Sequence, residues 1–269
     1  MKPTFKIRIF STYFFILLFS SNFLIASVPQ KGEPLNLLES YFHRVYESID
    51  FHGNQVKYEI FEKGLKGFLL LKSKGELSAE KDIITIIDFS QTSKNNRLWV
   101  IDLKNRKVLF NSLVAHGRNT GNEFARNFSN IPQSFQSSLG FYVTGDTYHG
   151  KHGLSLYLNG KEKGINDNAK NRAIVMHGAD YVSRDFISRY GRLGRSLGCP
   201  AVPMTNYKQI IGSISNKTCL FIYHPTSIYQ RTSSILKEEL SITSALIKNV
   251  FGNLFSNVDV VARDDEFTE

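Results

Sequence analysis

A mainly β chain with helices ahead of the sheet is the fold class the sequence predicts, on three observations. At 269 residues, 42% hydrophobic and 13% aromatic, the chain can bury a sizeable core and suits one main domain with additions. Before residue 74 the apolar residues recur at intervals of three and four, the helical period. Between residues 82 and 223 they fall instead into short β-branched runs bounded by Gly, Asn, Asp and Pro, the mark of strands. No internal repeat is present.

The chain opens with Lys2, Lys6 and Arg8, followed by an uncharged apolar run over residues 9–26 and small residues at Ala26 and Ser27. This predicts a secretory leader over residues 1–27, cleaved or, because about 18 apolar residues nearly span a bilayer, retained as an anchor. Either outcome places the folded part outside the cytoplasm, in the periplasm or at the wall, with membrane contact only through an uncleaved leader. No cysteine lies near residue 27, which excludes lipid attachment there.

A helical segment is expected over residues 28–78. Leu35, Leu38, Phe42, Val45 and Ile49 predict a helix over 34–50; Val56, Ile60, Leu65, Phe68 and Leu69 predict another over 55–72, weakened by Gly64 and Gly67. Lys74, Gly75 and Glu76 mark a boundary, and the main domain is expected over 79–226. Strands are predicted over 83–89, 98–103 and 107–114, the last two joined through Lys104, Asn105 and Arg106 as a hairpin. Further strands follow over 140–145, 153–158, 172–176 and 217–223, making a mostly antiparallel sheet, and Thr205 is expected to cap a helix carrying Tyr207, Ile210, Ile211 and Ile214. A C-terminal extension over 227–269 begins polar, continues as a weakly amphipathic helix over 235–254 and ends acidic over 264–269.

The formal charge of +9 suits an anionic surface or polymer, and the absence of a basic block with interleaved aromatics argues against nucleic acid. Chemistry concentrates in residues 176–203. His177 follows the apolar run 173–176, and Cys199 stands between Gly198 and Pro200, a setting for a tight turn rather than a strand. Cys219, inside T-C-L-F-I-Y, reads as a buried strand residue; a Cys199–Cys219 disulfide is the structural alternative to a reactive Cys199. A thiolate attacks acyl carbon, an imidazole in reach removes its proton and returns one to the leaving group, and the backbone N–H groups of Gly198 and Cys199 can hold the oxyanion. His149 and His152 are spaced like a metal pair but lack a third ligand at a useful spacing. His116 can be a satisfied strand-end histidine, and Arg184 and Arg189 the wet face of a short helix.

The chain also resembles the L,D-transpeptidase catalytic domain family of the bacterial cell wall, in its branch ending G-R-S-[LW]-G-C-P-A. The resemblance is carried by R-L-W-V-I-D-L (97–103), A-H-G-R-N-T-G (115–121), F-S-N (128–130), S-S-L-G-F-Y (137–142), Y-H-G-K-H-G-L-S-L-Y-L (148–158), N-D-N-A (166–169), M-H-G-A (176–179) and G-R-S-L-G-C-P-A (194–201), in that order. It implies a mixed β-sandwich-like sheet and acyl transfer on peptidoglycan stem tetrapeptides. Cys199 would form a thioester, His177 would act as base, and the Gly178 carbonyl would orient the imidazole. Tyr148, His152, Asn166, Asn168 and Ser196 would line the groove and bind the substrate. The acceptor would be an amine of a stem peptide or protein, or water in a carboxypeptidase; no metal or other cofactor is implied. Better-known members read S-H-G-C, where this chain has Leu197. The second histidine and the arginine that follows are missing, which leaves Arg195, and less so Arg192, to bind the substrate carboxylate. A wall-binding protein with a degenerate site is the reading from a different class.

Overall fold

The computed structural model describes residues 34–240. The expected leader over 1–27 and the acidic end over 264–269 lie outside the described residues, as does most of the helix expected over 235–254. Among the described residues no helix is long and apolar enough to cross a membrane.

Two helices come first, α1 (Pro34–Glu47) and α2 (Tyr58–Ser73). Phe42 and Val45 give α1 its buried stripe, while α2 is buried on nearly every side, with Ile60, Phe61, Leu65, Phe68 and Leu69 fully enclosed. The two glycines that lower the helix propensity of α2 have a packing reason. A Cβ on Gly64 would come within 3.2 Å of the Ile84 and Ile86 side chains, and one on Gly67 within 2.1 Å of the Phe141 ring. They let the helix axis approach the sheet.

The eight strands are β1 (Ile83–Asp88), β2 (Leu98–Asp102), β3 (Lys107–Ser112), β4 (Gly140–Gly150), β5 (Gly153–Gly160), β6 (Val175–Ala179), β7 (Ala201–Pro203) and β8 (Cys219–Tyr223). They form one mixed sheet in the order β3-β2-β1-β8-β4-β5-β6-β7. Pairing is antiparallel except for β1 with β8 and β6 with β7. Past the end of β3 the chain bridges the opposite edge, Ala115 to Ala201 and Gly117 to Ser196, which nearly closes the sheet on itself. The mainly β fold with N-terminal helices is therefore as expected. The β2–β3 hairpin forms through residues 104–106, with Arg106 at φ 55° and the Asp102 carboxylate accepting from the Asn105 backbone and side chain.

Four local expectations need correction. Strand β6 starts at Val175, not 172, because Ala173 adopts a left-handed φ of 52°. Strand β4 runs on to Gly150 through an irregularity between Thr144 and Thr147. No strand was expected over 201–203, yet β7 begins directly after Pro200, which closes the turn bearing Cys199. Helix α4 (Tyr207–Ile214) is preceded by Asn206 rather than capped by Thr205, and no side chain caps it. The remaining helices are short: α3 (Arg184–Tyr190), capped by Ser183, then α5 (Ser227–Thr232) and α6 (Ser234–Lys237).

One core cluster extends from Tyr41 on α1 through the sheet to Ile235 on α6. A buried ion pair, Lys72 to Asp82 at 2.7 Å, fastens the end of α2 to the approach to β1. Buried Glu162 fastens the C-terminal helices: it accepts from the Phe141 N–H at 2.8 Å, the Tyr229 hydroxyl at 3.1 Å and the Ser233 hydroxyl. Cys199 and Cys219 are both free thiols, so the disulfide alternative is not formed.

Candidate active site

His177 is the central residue of β6, opposite Ser155 on β5 and Ala201 on β7. Its Nδ1 lies 2.9 Å from the Gly178 carbonyl oxygen. A carbonyl only accepts, so Nδ1 carries the proton and Nε2 is left as the basic nitrogen. Gly178 can only be glycine here, since a Cβ would stand 2.7 Å from both Met204 Sδ and Tyr207 Cγ. Burial pushes the His177 pKa down, the Gly178 carbonyl opposes that, and positive charge on His152 and Lys151 adds to it.

Cys199 sits on a turn clamped from three directions. Gly198 takes φ 127°, where a Cβ would strike the Gln136 carbonyl oxygen at 2.9 Å. The Ser196 hydroxyl donates to the Cys199 carbonyl at 2.6 Å and accepts from the Gly198 N–H at 3.0 Å. The Ser137 hydroxyl donates to the Gly198 carbonyl at 3.0 Å and accepts from the Gly117 N–H at 3.0 Å. The thiol itself rests against the approach to the His177 strand, with Sγ 3.5 Å from the Val175 N–H and 3.6 Å from the Ala173 carbonyl. Burial raises the thiol pKa, opposed by the Val175 N–H and by the charges of Arg172 and Lys151. Burial thus works against both ionised forms, thiolate and imidazolium alike.

Both residues open into one cavity of about 400 Å³. Of the expected site residues, Tyr148, His152, Arg195 and Ser196 line it too. Asn166 and Asn168 do not. Asn166 is fully buried, donating to the Leu139 and Phe141 carbonyls at 3.0 Å and accepting from the Glu162 N–H, while Asn168 braces the backbone of Asn130. Both amides shape the loop behind β4 rather than the groove. Gly198 is corrected as an oxyanion donor, because Ser196 already takes its N–H; the Cys199 N–H is the remaining one of the expected pair. Arg195 lines the cavity, and its guanidinium donates to the Arg118 and Gly121 carbonyls and Asn122 Oδ1 of the neighbouring loop. Arg192 is absent from the lining and donates to the Leu193 carbonyl.

Arg172 and Tyr181 line the cavity without having been expected to. Arg172 is spread over the Ser129 and Gln136 carbonyls and the Ser134 and Ser138 hydroxyls, and its charge acts on Cys199. Tyr181 has its hydroxyl pushed up to about 12 by burial and by Cys199, and it packs where a Gly194 Cβ would fall 2.3 Å from its own Cβ. The cavity lining carries Lys151, Arg172 and Arg195 and, among the described residues, no carboxylate, so it favours an anionic ligand.

His116 proves to be a buried structural histidine. Arg97 Nη2 donates to its Nδ1 at 2.8 Å and its Nε2 faces the Gly121 carbonyl at 3.2 Å, so it is a neutral tautomer, with a pKa pushed down to about 3 by burial and Arg97. Its carbonyl accepts the Ser196 N–H at 3.0 Å, linking it to the turn that bears Cys199. Arg184 lies on α3 and donates to Lys94 and Asn96, away from the site. Among the described residues no group of three or more His, Cys, Asp or Glu side chains could hold a metal ion.

A sequence model of the L,D-transpeptidase catalytic domain matches residues 52–223. No curated protein matches the chain. Similar solved structures include an L,D-transpeptidase from Mycobacterium smegmatis, 11% identical, covering 54% of this chain and 59% of that one at a TM-score of 0.33. Another is the helical cell shape determining protein Pgp2 from Campylobacter jejuni, 14% identical over 71% of this chain and 63% of that one, TM-score 0.35. A third is an L,D-transpeptidase from Stackebrandtia nassauensis, 15% identical over 73% and 93%, TM-score 0.32. The chain thus spans 59% of the length of the first of these.

Proposed function

The chain belongs to the L,D-transpeptidase catalytic domain family, and on that premise we propose that it is a secreted cysteine acyltransferase of peptidoglycan stem tetrapeptides, acting in the periplasm or at the wall. The observation that carries the reading is the seat of Cys199 Sγ against the Val175 N–H, on the strand that bears His177, in a cavity lined by cations.

In this reading the stem peptide's carboxylates are drawn in by Lys151, Arg172 and Arg195. His177 Nε2 takes the thiol proton as Sγ bonds to the carbonyl carbon between the diamino acid and the terminal D-alanine. The oxyanion is met by the Cys199 N–H. Collapse breaks the C–N bond, the imidazolium gives its proton to the departing D-alanine amine, and a thioester remains on Cys199. An acceptor amine then loses its proton to His177 as it attacks that thioester, which releases the thiol and leaves a new amide. Water in place of the amine makes the same site an L,D-carboxypeptidase.

Incubation of the purified protein with tetrapeptide muropeptides, followed by mass spectrometry, tests this. Free D-alanine with cross-linked or tripeptide products, lost in Cys199→Ala, is the expected result. Sacculus binding with no D-alanine release would instead establish the non-catalytic reading that Leu197 raises.

A further inference from the structure

The β4–β5 hairpin turns through Lys151 and His152 between Gly150 and Gly153, and Gly153 holds a left-handed φ of 74°. The turn sets the His152 ring on the His177 ring, centroids 4.3 Å apart and planes 20° from parallel. His152 also lines the cavity that holds Cys199. The Leu197 side chain, where S-H-G-C members carry their second histidine, is 54% exposed and supplies no proton-bearing group.

The Gly178 carbonyl fixes one edge of the His177 ring, and His152 covers a face. The charged or titratable groups sharing the cavity with His177 are Lys151, Tyr148 and His152 from the hairpin, Arg172 before β6, Tyr181 after β6, and Arg195 and Cys199 before β7. None is a carboxylate, so only the Gly178 carbonyl, through Nδ1, favours a proton on His177 once it has taken one.

We propose that His152 is the second imidazole of this site, a positioning residue supplied by the hairpin instead of the nucleophile turn. It holds the plane of His177 and, when charged, drives the proton onward. The proton taken from Cys199 Sγ by His177 Nε2 is thereby delivered to the departing amine rather than retained. The lowered basicity of His177, to which charge on His152 contributes after burial, agrees with this. The inference rests on the Cys199–His177 reading.

The test is the titration of His177 followed by NMR of its imidazole protons, in the protein as isolated, in His152→Phe, which keeps a stacking ring without charge, and in His152→Ala. No substrate is involved, so the outcome is independent of what the enzyme acts on. The midpoint of His177 is expected to lie below 6.5 in the parent and to rise by roughly half a unit to one unit in both variants. With tetrapeptide substrate, the acid limb of each variant's pH profile, normalised to its own alkaline plateau, should move up with the NMR midpoint. The His152→Ala plateau kcat should also fall roughly tenfold as the ring loses its support. Superimposable His177 midpoints in all three proteins would overturn the proposal, whatever the kinetics.

Discussion

Gly67→Ala gives a prediction whose size follows from the coordinates. The new Cβ would lie 2.1 Å from Phe141 Cε1, 2.3 Å from Cζ and 2.7 Å from Cδ1, against a normal carbon–carbon contact near ~3.5–4 Å. Phe141 cannot retreat easily, because it is fully buried and its ring is stacked on Phe221 at 4.2 Å and 10°. Helix α2 must therefore lift from the sheet or the ring pair must repack, an overpacking cost of about 1–3 kcal/mol. Alanine in place of helical glycine returns about 1 kcal/mol, so the net effect is a loss of up to about 2 kcal/mol. Gly212→Ala on α4 is the control: nothing lies within 4 Å of its added Cβ, so only the propensity gain of about 0.5–1 kcal/mol remains. At roughly 2–4 °C per kcal/mol for a domain of this size, thermal unfolding should show Gly67→Ala falling by several degrees and Gly212→Ala rising by about 2–3 °C. Equal shifts of the same sign would refute the packing of α2 on β4.

Ser137→Ala removes the hydroxyl that joins Gly117 to Gly198 and leaves two buried backbone groups unpaired, at about 1–3 kcal/mol each; urea unfolding should show the loss and turnover should fall with it. Arg172→Met removes a cation that favours the thiolate, so the alkylation profile of Cys199 should shift to higher pH and move back in Arg172→Lys; an unmoved profile would show that Arg172 serves only the loop around residues 129–138. Glu162 has its pKa raised, chiefly by burial, so its stabilising protonated form is fully present below the ordinary carboxylate range. That contribution is lost as pH rises through the raised folded value, because there the folded state binds more protons than the unfolded chain. Urea unfolding at pH 5 and 7.5 should therefore show stability falling with pH more in the parent than in Glu162→Gln, and parallel slopes would contradict this.

The sheet was legible because β1, β2, β3, β5 and β8 each carry an apolar run closed by turn residues. Strand β7 was not, because three residues between Pro200 and Met204 carry no periodicity and pair only through the parallel register with β6. His177 and Cys199 stood out by their settings, and the structure brings both to one cavity; the contact of the Gly178 carbonyl with His177 was expected from the resemblance. Arg172 was hidden because its role comes from a loop more than thirty residues upstream that folds around it. Asn166 misled for a related reason: a buried amide satisfied by three backbone groups looks, in sequence, like a groove residue. His152 was read beside His149 and as a groove residue, and its contact with His177 emerges only when the hairpin brings the two rings together.

The most direct test of the account is to trap the acyl-enzyme: the protein is mixed with tetrapeptide muropeptide, quenched in acid and analysed by intact-mass and peptide-mapping mass spectrometry. A mass increase equal to the donor less D-alanine, located on the peptide containing Cys199 and absent in Cys199→Ala, is predicted. D-alanine release that persists in Cys199→Ala, or an adduct on any other residue, would contradict it.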